Sequence, residues 1–226
     1  MMCFQIILIN YYLVNQSIGS MEYSHDFIAA ATSLCDAGRF IDSKGWVPAT
    51  SGNFSARLPD GTIAITTSGK HKGHLQVEDI MLIDANANSL DGKKPSAETG
   101  LHTSLYQRFP ETNAILHPHS INSVLISKLF TDEIVLENYE LLKAFHGIAT
   151  HETRISVPIF PNDQDIPRLS SLIERYMDQH SLCYGYIIAG HGLYAWGESI
   201  PDALRHLEAL DYLFECELQL HGVKVP

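Results

Sequence analysis

Cysteine is scarce in this chain, and it is scattered. The four residues, Cys3, Cys35, Cys183 and Cys216, form no C-x-x-C pair, which argues against a disulfide framework and suits a reducing cytoplasm. Positive charge is short as well. Fifteen Lys and Arg stand against 26 Asp and Glu, a formal charge of -11, which disfavours nonspecific binding to nucleic acid or to an anionic membrane. A small phosphorylated ligand remains open, because it needs only a local cluster of donors. There is no low-complexity run, internal repeat or linker, and no apolar run long enough to span a bilayer. The nearest, Cys3 to Val14, is too short and has no Lys or Arg before it, and Ile18-Gly19-Ser20 is a poor cleavage site. Residues 1–20 therefore read as a dispensable extension of the kind an upstream start codon produces. Residues 21–226 read as a single domain. A hydrophobic content of 45% and this length suit one compact unit with a substantial core.

What is present alternates irregularly between two periodicities. Phe27, Ala30, Ala31, Leu34 and Cys35 recur at helical spacing and predict a helix over residues 22–40, with Gly38 near its end. Helices are also expected over 97–108, 166–179 and 200–221, the last with a stripe of Leu204, Leu207, Leu210, Leu213 and Phe214. Strands are expected over 62–67, 80–84, 114–117 and 184–189, and residues 46–53 read as a turn-rich connection. Short hairpin-like links between these elements predict an α/β fold, with a mixed, mainly antiparallel central sheet covered by helices.

The most informative feature is His117-Pro118-His119 at the end of the apolar run Asn113-Ala114-Ile115-Leu116. On a strand, side chains alternate between faces, so the two imidazoles project to the same side. His191, between Gly190 and Gly192 after a second apolar run, is the best third ligand for a divalent metal. Spacing alone leaves both a metal site and a hydrogen-bonded His pair open in a chain with twelve His.

Three segments could bind an anion. Ser51-Gly52-Asn53-Phe54-Ser55 and Thr66-Thr67-Ser68-Gly69-Lys70 combine hydroxyls with a glycine that exposes backbone N–H groups, and Lys70 and Lys72 add cations. Lys94-Pro95-Ser96-Ala97-Glu98 precedes a helix, and Ser96 is the expected N-cap. Taken singly, each also reads as an ordinary turn, and Glu98 as a solvated residue of a first helical turn. His102, four residues after Glu98, shares its helix face and reads as a hydrogen-bonded structural histidine. Glu137 and Glu140 read as surface charge.

In combination and order, Ser51-Gly52-Asn53, Thr67-Ser68-Gly69, Lys94 to Glu98, His117-Pro118-His119 and Gly190-His191-Gly192 resemble the class II aldolase superfamily, from about residue 22 to the C-terminus. Gly45 to Asn53, Ser68 to Gly73, Asn162 to Ile166 and His191 to Gly197 are similar to its dehydratase branch, which removes water from a phosphorylated 2-ketose in methionine salvage. This resemblance implies a class II aldolase-like sheet with helices on both sides and a cytoplasmic hydro-lyase. It also implies Zn(2+) on His117, His119 and His191, and a homotetramer with sites near subunit boundaries. Gly52, Asn53, Ser68, Gly69 and Ser96 match the phosphate-binding positions, and Lys72 is the nearby cation. Two carboxylates compete as acid/base: Glu98 matches the aldolases, and Glu140 in Asn138-Tyr139-Glu140-Leu141 matches the dehydratases. We expect Glu140 to transfer the proton, with Glu98 near substrate or metal. His71 departs from the pattern, since relatives often carry an acidic residue there. The rivals are an aldolase or 4-epimerase working through Glu98, and a noncatalytic metal- or sugar-phosphate-binding protein.

Overall fold

A computed structural model of the chain describes residues 23–180 and 184–222; the expectation for residues 1–20 lies outside them. The elements run α1 (His25–Ser43), β1 (Asn53–Arg57), β2 (Ile63–Thr66), β3 (Ile80–Ile83), α2 (Thr99–Arg108), β4 (Ala114–His117), α3 (Ile121–Leu129), β5 (Glu133–Glu137), β6 (Arg154–Phe160), α4 (Ile166–Met177), β7 (Gly185–Ile188), β8 (Gly192–Gly197) and α5 (Ile200–Leu220). The strands form one sheet in the order β3-β2-β1-β4-β8-β7-β6-β5. Neighbours are antiparallel except for β6 and β7, which pair in parallel. The expected mixed, mainly antiparallel sheet is therefore present.

Period-2 alternation splits each central strand between two cores. Phe54, Ala56, Ala114, Leu116, Leu193 and Ala195 pack with Phe27 and Leu34 of α1, Ile126 of α3, and Leu207, Leu210 and Phe214 of α5. Ile115, Tyr194 and Trp196 face the other way, against Leu101, Leu105 and Tyr106 of α2 and Leu169 and Ile173 of α4. Helices thus cover both faces. The polar residues Asn53, Ser55 and His117 alternate onto the α2 face, where they are buried.

Local chemistry explains several boundaries. Ser24, Ser120, Asp165 and Ser199 cap α1, α3, α4 and α5, each accepting a backbone N–H two or three residues into its helix. The expected end of α1 near Gly38 is too early, because Gly38 serves close packing rather than termination. A Cβ there would lie 2.3 Å from the carbonyl oxygen of Lys72, so glycine lets the lysine loop press against the helix. Among the described residues no helix is long and apolar enough to cross a membrane.

Candidate active site

The antiparallel register sets Asn53 of β1 directly opposite His117 of β4. His117 Nδ1 lies 3.0 Å from the carbonyl oxygen of Leu193. A carbonyl only accepts, so Nδ1 carries the proton and Nε2 is left with a bare lone pair. His191, in the β7–β8 turn, repeats the arrangement, with Nδ1 3.2 Å from Asn162 Oδ1. His119 lies beyond the end of β4. Its backbone N–H donates to Trp46 (2.8 Å), and Leu193 N–H donates to the intervening Pro118 carbonyl (3.1 Å).

The three Nε2 atoms converge, with His119 and His191 at 3.1 and 3.4 Å from His117. Their ligand atoms all lie within 4.8 Å of one another. Burial, with the neighbouring imidazoles adding to it, holds His117 well below the usual histidine range. Burial also pushes His119 down to about 4. Three imidazole nitrogens that converge on one point, with the far nitrogens of His117 and His191 engaged by Leu193 and Asn162, are the donor set of a divalent transition-metal site. The residues present therefore fit a metal. Gly192 makes the cluster possible. A Cβ there would meet the Pro118 carbonyl oxygen at 2.4 Å and the His119 and His117 rings at 2.9 and 3.0 Å.

Glu98 enters the same cluster. Its Oε2 accepts from Asn53 Nδ2 at 2.8 Å and from the Tyr194 hydroxyl at 3.3 Å, and lies 3.3 Å from His117 Nε2. Its Oε1 lies 3.3 Å from His191 Nε2. Glu98 itself, not Ser96, is the residue preceding α2, and Ser96 forms a turn ahead of the helix. The Ser96 carbonyl accepts from both the backbone N–H (3.2 Å) and the hydroxyl (2.8 Å) of Thr99. That turn takes up the early α2 donors and leaves the Glu98 carboxylate to reach the histidines.

A cavity of about 160 Å³ adjoins the cluster, and it is lined by Gly52, Asn53, Ser68, Gly69, Lys72 and Ser96 together with Glu98, His119 and His191. All six anion-binding candidates are thus brought together with the metal-site candidates. Lys72 is 2% exposed, and its ammonium donates to the carbonyl oxygens of Thr50 (3.0 Å) and Lys70 (2.6 Å). Burial pushes it down to about 8. His71 accepts from Gly73 N at 3.3 Å, which organises the turn that holds Lys72.

Glu140 is not brought to the cluster within the chain. It lies in a short 3-10 turn, with its carboxylate 2.7 Å from Lys143 Nζ and 3.7 Å from His151 Nδ1 and its side chain 74% exposed. It lines a separate cavity of about 1310 Å³ with Trp46, Ile121, Leu141, Asp211 and Tyr212. Its hydrogen bond to Lys143 holds the carboxyl below the usual range, the reverse of what a general base at neutral pH needs. Sequence reading missed three contributors: Asn162, which orients His191; Tyr194, which stacks on His117 with ring centroids 4.0 Å apart; and Thr50, which anchors Lys72. Each lies in a segment whose motif stands out, but none is a residue type that announces a role.

Comparison with known proteins places this geometry. Residues 32–218 match the class II aldolase and adducin N-terminal domain family. A methylthioribulose-1-phosphate dehydratase of Methylococcus capsulatus is 64% identical over 88% of this chain and 98% of its own length. That of Pseudomonas savastanoi pv. phaseolicola is 51% identical over 85% and 96%. The crystal structure of L-fuculose-1-phosphate aldolase from Thermus thermophilus superposes with a TM-score of 0.67 at 22% identity, covering 87% of this chain and 98% of that one. Family match, curated relatives and fold agree: the chain belongs to the class II aldolase family, on the branch it shares with these methylthioribulose-1-phosphate dehydratases.

Proposed function

We propose that this chain is a hydro-lyase of methionine salvage that dehydrates 5-methylthioribulose 1-phosphate to 2,3-diketo-5-methylthiopentyl 1-phosphate. The observation that carries this reading is the meeting of three imidazole nitrogens, a carboxylate and a donor-lined pocket in one site, in a chain so similar to curated dehydratases. His117, His119 and His191 hold a divalent metal, zinc in this reading, which when bound supplies Lewis acidity at the ketone oxygen. Gly52, Asn53, Ser68, Gly69 and Ser96 cradle the phosphate, with Lys72 as the local positive charge. Glu140 takes the C3 proton. The C4 hydroxyl then leaves as water with a proton returned from Glu140, and the resulting enol tautomerises to the 2,3-diketone.

Because Glu140 sits apart from the histidines of its own chain, it performs this step from a neighbouring copy in a homotetramer. Exposed Ile121 (54%), Leu141 (36%) and Tyr212 (59%) around its cavity suit such a contact, and contact strips Glu140 of water and raises its basicity. The protein works in the cytoplasm. Glu98 stays beside the metal and orients substrate.

Zinc-loaded protein incubated with 5-methylthioribulose 1-phosphate should yield a product lighter by one water. Glu140→Gln should lower kcat by about 10²–10⁴-fold with metal retained; full turnover in that variant rejects Glu140 as the base. Glu98 in the cluster favours a second reading, C3–C4 cleavage of a ketose phosphate by an aldolase, for which the products are two carbonyl fragments.

A further inference from the structure

The carboxylate of Glu98 is the end of a buried chain of hydrogen bonds whose polarity can be read link by link. A carboxylate only accepts, so the contact from Asn53 Nδ2 to Glu98 Oε2 (2.8 Å) fixes the Asn53 amide with its NH₂ toward Glu98. Its Oδ1 then faces His102 Nε2, with which it makes a short hydrogen bond. An amide oxygen also only accepts, so Nε2 must carry a proton. His102 is fully buried, and burial pushes its pKa down to about 3. It therefore has one proton to place, and Nδ1 is bare. Ser55 Oγ, 2.7 Å away, donates to Nδ1, and the Tyr106 hydroxyl, 2.8 Å from Ser55 Oγ, donates to Ser55. Every member has one role, and the chain runs Tyr106 to Ser55 to His102 to Asn53 to Glu98.

We propose that His102 is a positioning residue. Through its Nε2–H tautomer it selects the amide orientation of Asn53, and so holds the Glu98 carboxylate at the histidine cluster. The opposite tautomer forces Asn53 to turn its oxygen toward Glu98, and two acceptors then repel across the site. The selected orientation also leaves the second Asn53 N–H for an anion in the adjoining cavity, which Asn53 lines. This role rests on the proposed function only in that Glu98 orients the reacting substrate; the tautomer itself does not depend on it.

The test has two arms. In ¹⁵N-histidine-labelled full-length protein, His102 should give the NMR pattern of a neutral Nε2–H imidazole; an Nδ1–H pattern overturns the inference. In the zinc-loaded enzyme, His102→Gln keeps an N–H near the Nε2 position, whereas His102→Asn keeps only a group near Nδ1. Loss of an outer hydrogen-bond partner typically costs about 10–100-fold. His102→Asn should therefore lower kcat by about that factor, with KM and bound metal near those of the parent, and His102→Gln should restore most of it. Equal loss or equal retention in the two variants overturns the inference. Absence of turnover in the parent protein rejects the proposed function instead, and the NMR arm still decides the tautomer.

Discussion

Lys72 and Asn162 carry the residue-scale predictions. The Lys72 ammonium is buried against two carbonyl oxygens and titrates at about 8, against an ordinary value of 10.5. Between those values the unfolded chain binds a proton that the folded chain has released, so stability rises with pH across this window. Below about 8 the cost of burying the charge is present in full. Relative to Lys72→Met, the unfolding free energy of the parent should climb by about 3 kcal/mol from pH 8 to pH 10.5. Urea titrations at several pH values check this, and parallel curves would reject it. Asn162 fixes the proton of His191 on Nδ1. Asn162→Ala should weaken metal binding by about 10–100-fold in chelator competition without changing the number of sites, whereas His191→Ala should abolish tight binding. His117, His119 and His191 were legible in the sequence because their motif is local. The tautomers of His117 and His191 were not, because the partners that fix them, Leu193 and Asn162, are distant from them in sequence by 76 and 29 residues.

At the scale of elements, α1, α4 and α5 followed their periodicity and start at side-chain caps, whereas α2 starts after Glu98 and not at the expected Ser96 cap, and α3 was not among the expected helices. Ser199 accepts from the backbone N–H of Asp202 at 3.2 Å to start α5, the 21-residue helix that packs across the sheet. Ser199→Ala should cost about 1 kcal/mol, seen as a fall in Tm of about 2–4 °C for a chain of this size; an unchanged Tm would show that tertiary contacts alone hold the helix start. Several strands escaped sequence reading for identifiable reasons. Strand β6 contains Pro158, which demotes a run as a strand candidate, yet it pairs with β5 from Arg154 to Pro158. Strand β1 begins with Asn53 and carries Ser55, which belong to a segment that reads as a turn. Asn53 and Ser55 are buried because they join the hydrogen-bond chain under the site. Polar residues placed in a core for function defeat a pattern built on apolar alternation.

At the scale of the whole molecule, Glu140 lies away from the histidine cluster of its own chain, so its proposed role needs a neighbouring copy. If a neighbouring copy delivers it, Glu140→Gln subunits keep an intact metal cluster and His117→Ala subunits keep an intact Glu140. Each alone should be inactive. Mixed oligomers, formed by refolding the two variants together, should recover a measurable fraction of the parent rate, because one class of sites then has both parts. Absence of recovery, with mixed oligomers confirmed by mass, places the proton-transfer group within a single chain and moves the assignment to Glu98.

The gathering of the anion-binding segments around one cavity was implied by the resemblance of their order to the class II aldolase superfamily; composition and spacing along the chain determined the main helices and the strand that ends in His117-Pro118-His119. These follow from short-range rules: side-chain periodicity, capping, and glycine where the backbone must come close. Tertiary structure alone decided that Glu140 faces a different cavity from the histidines, that Lys72 is buried, and that His102 reaches the site through Asn53. Those outcomes depend on sheet register and helix packing, which bring side chains distant in sequence within hydrogen-bonding distance, where an unpaired buried polar group is costly.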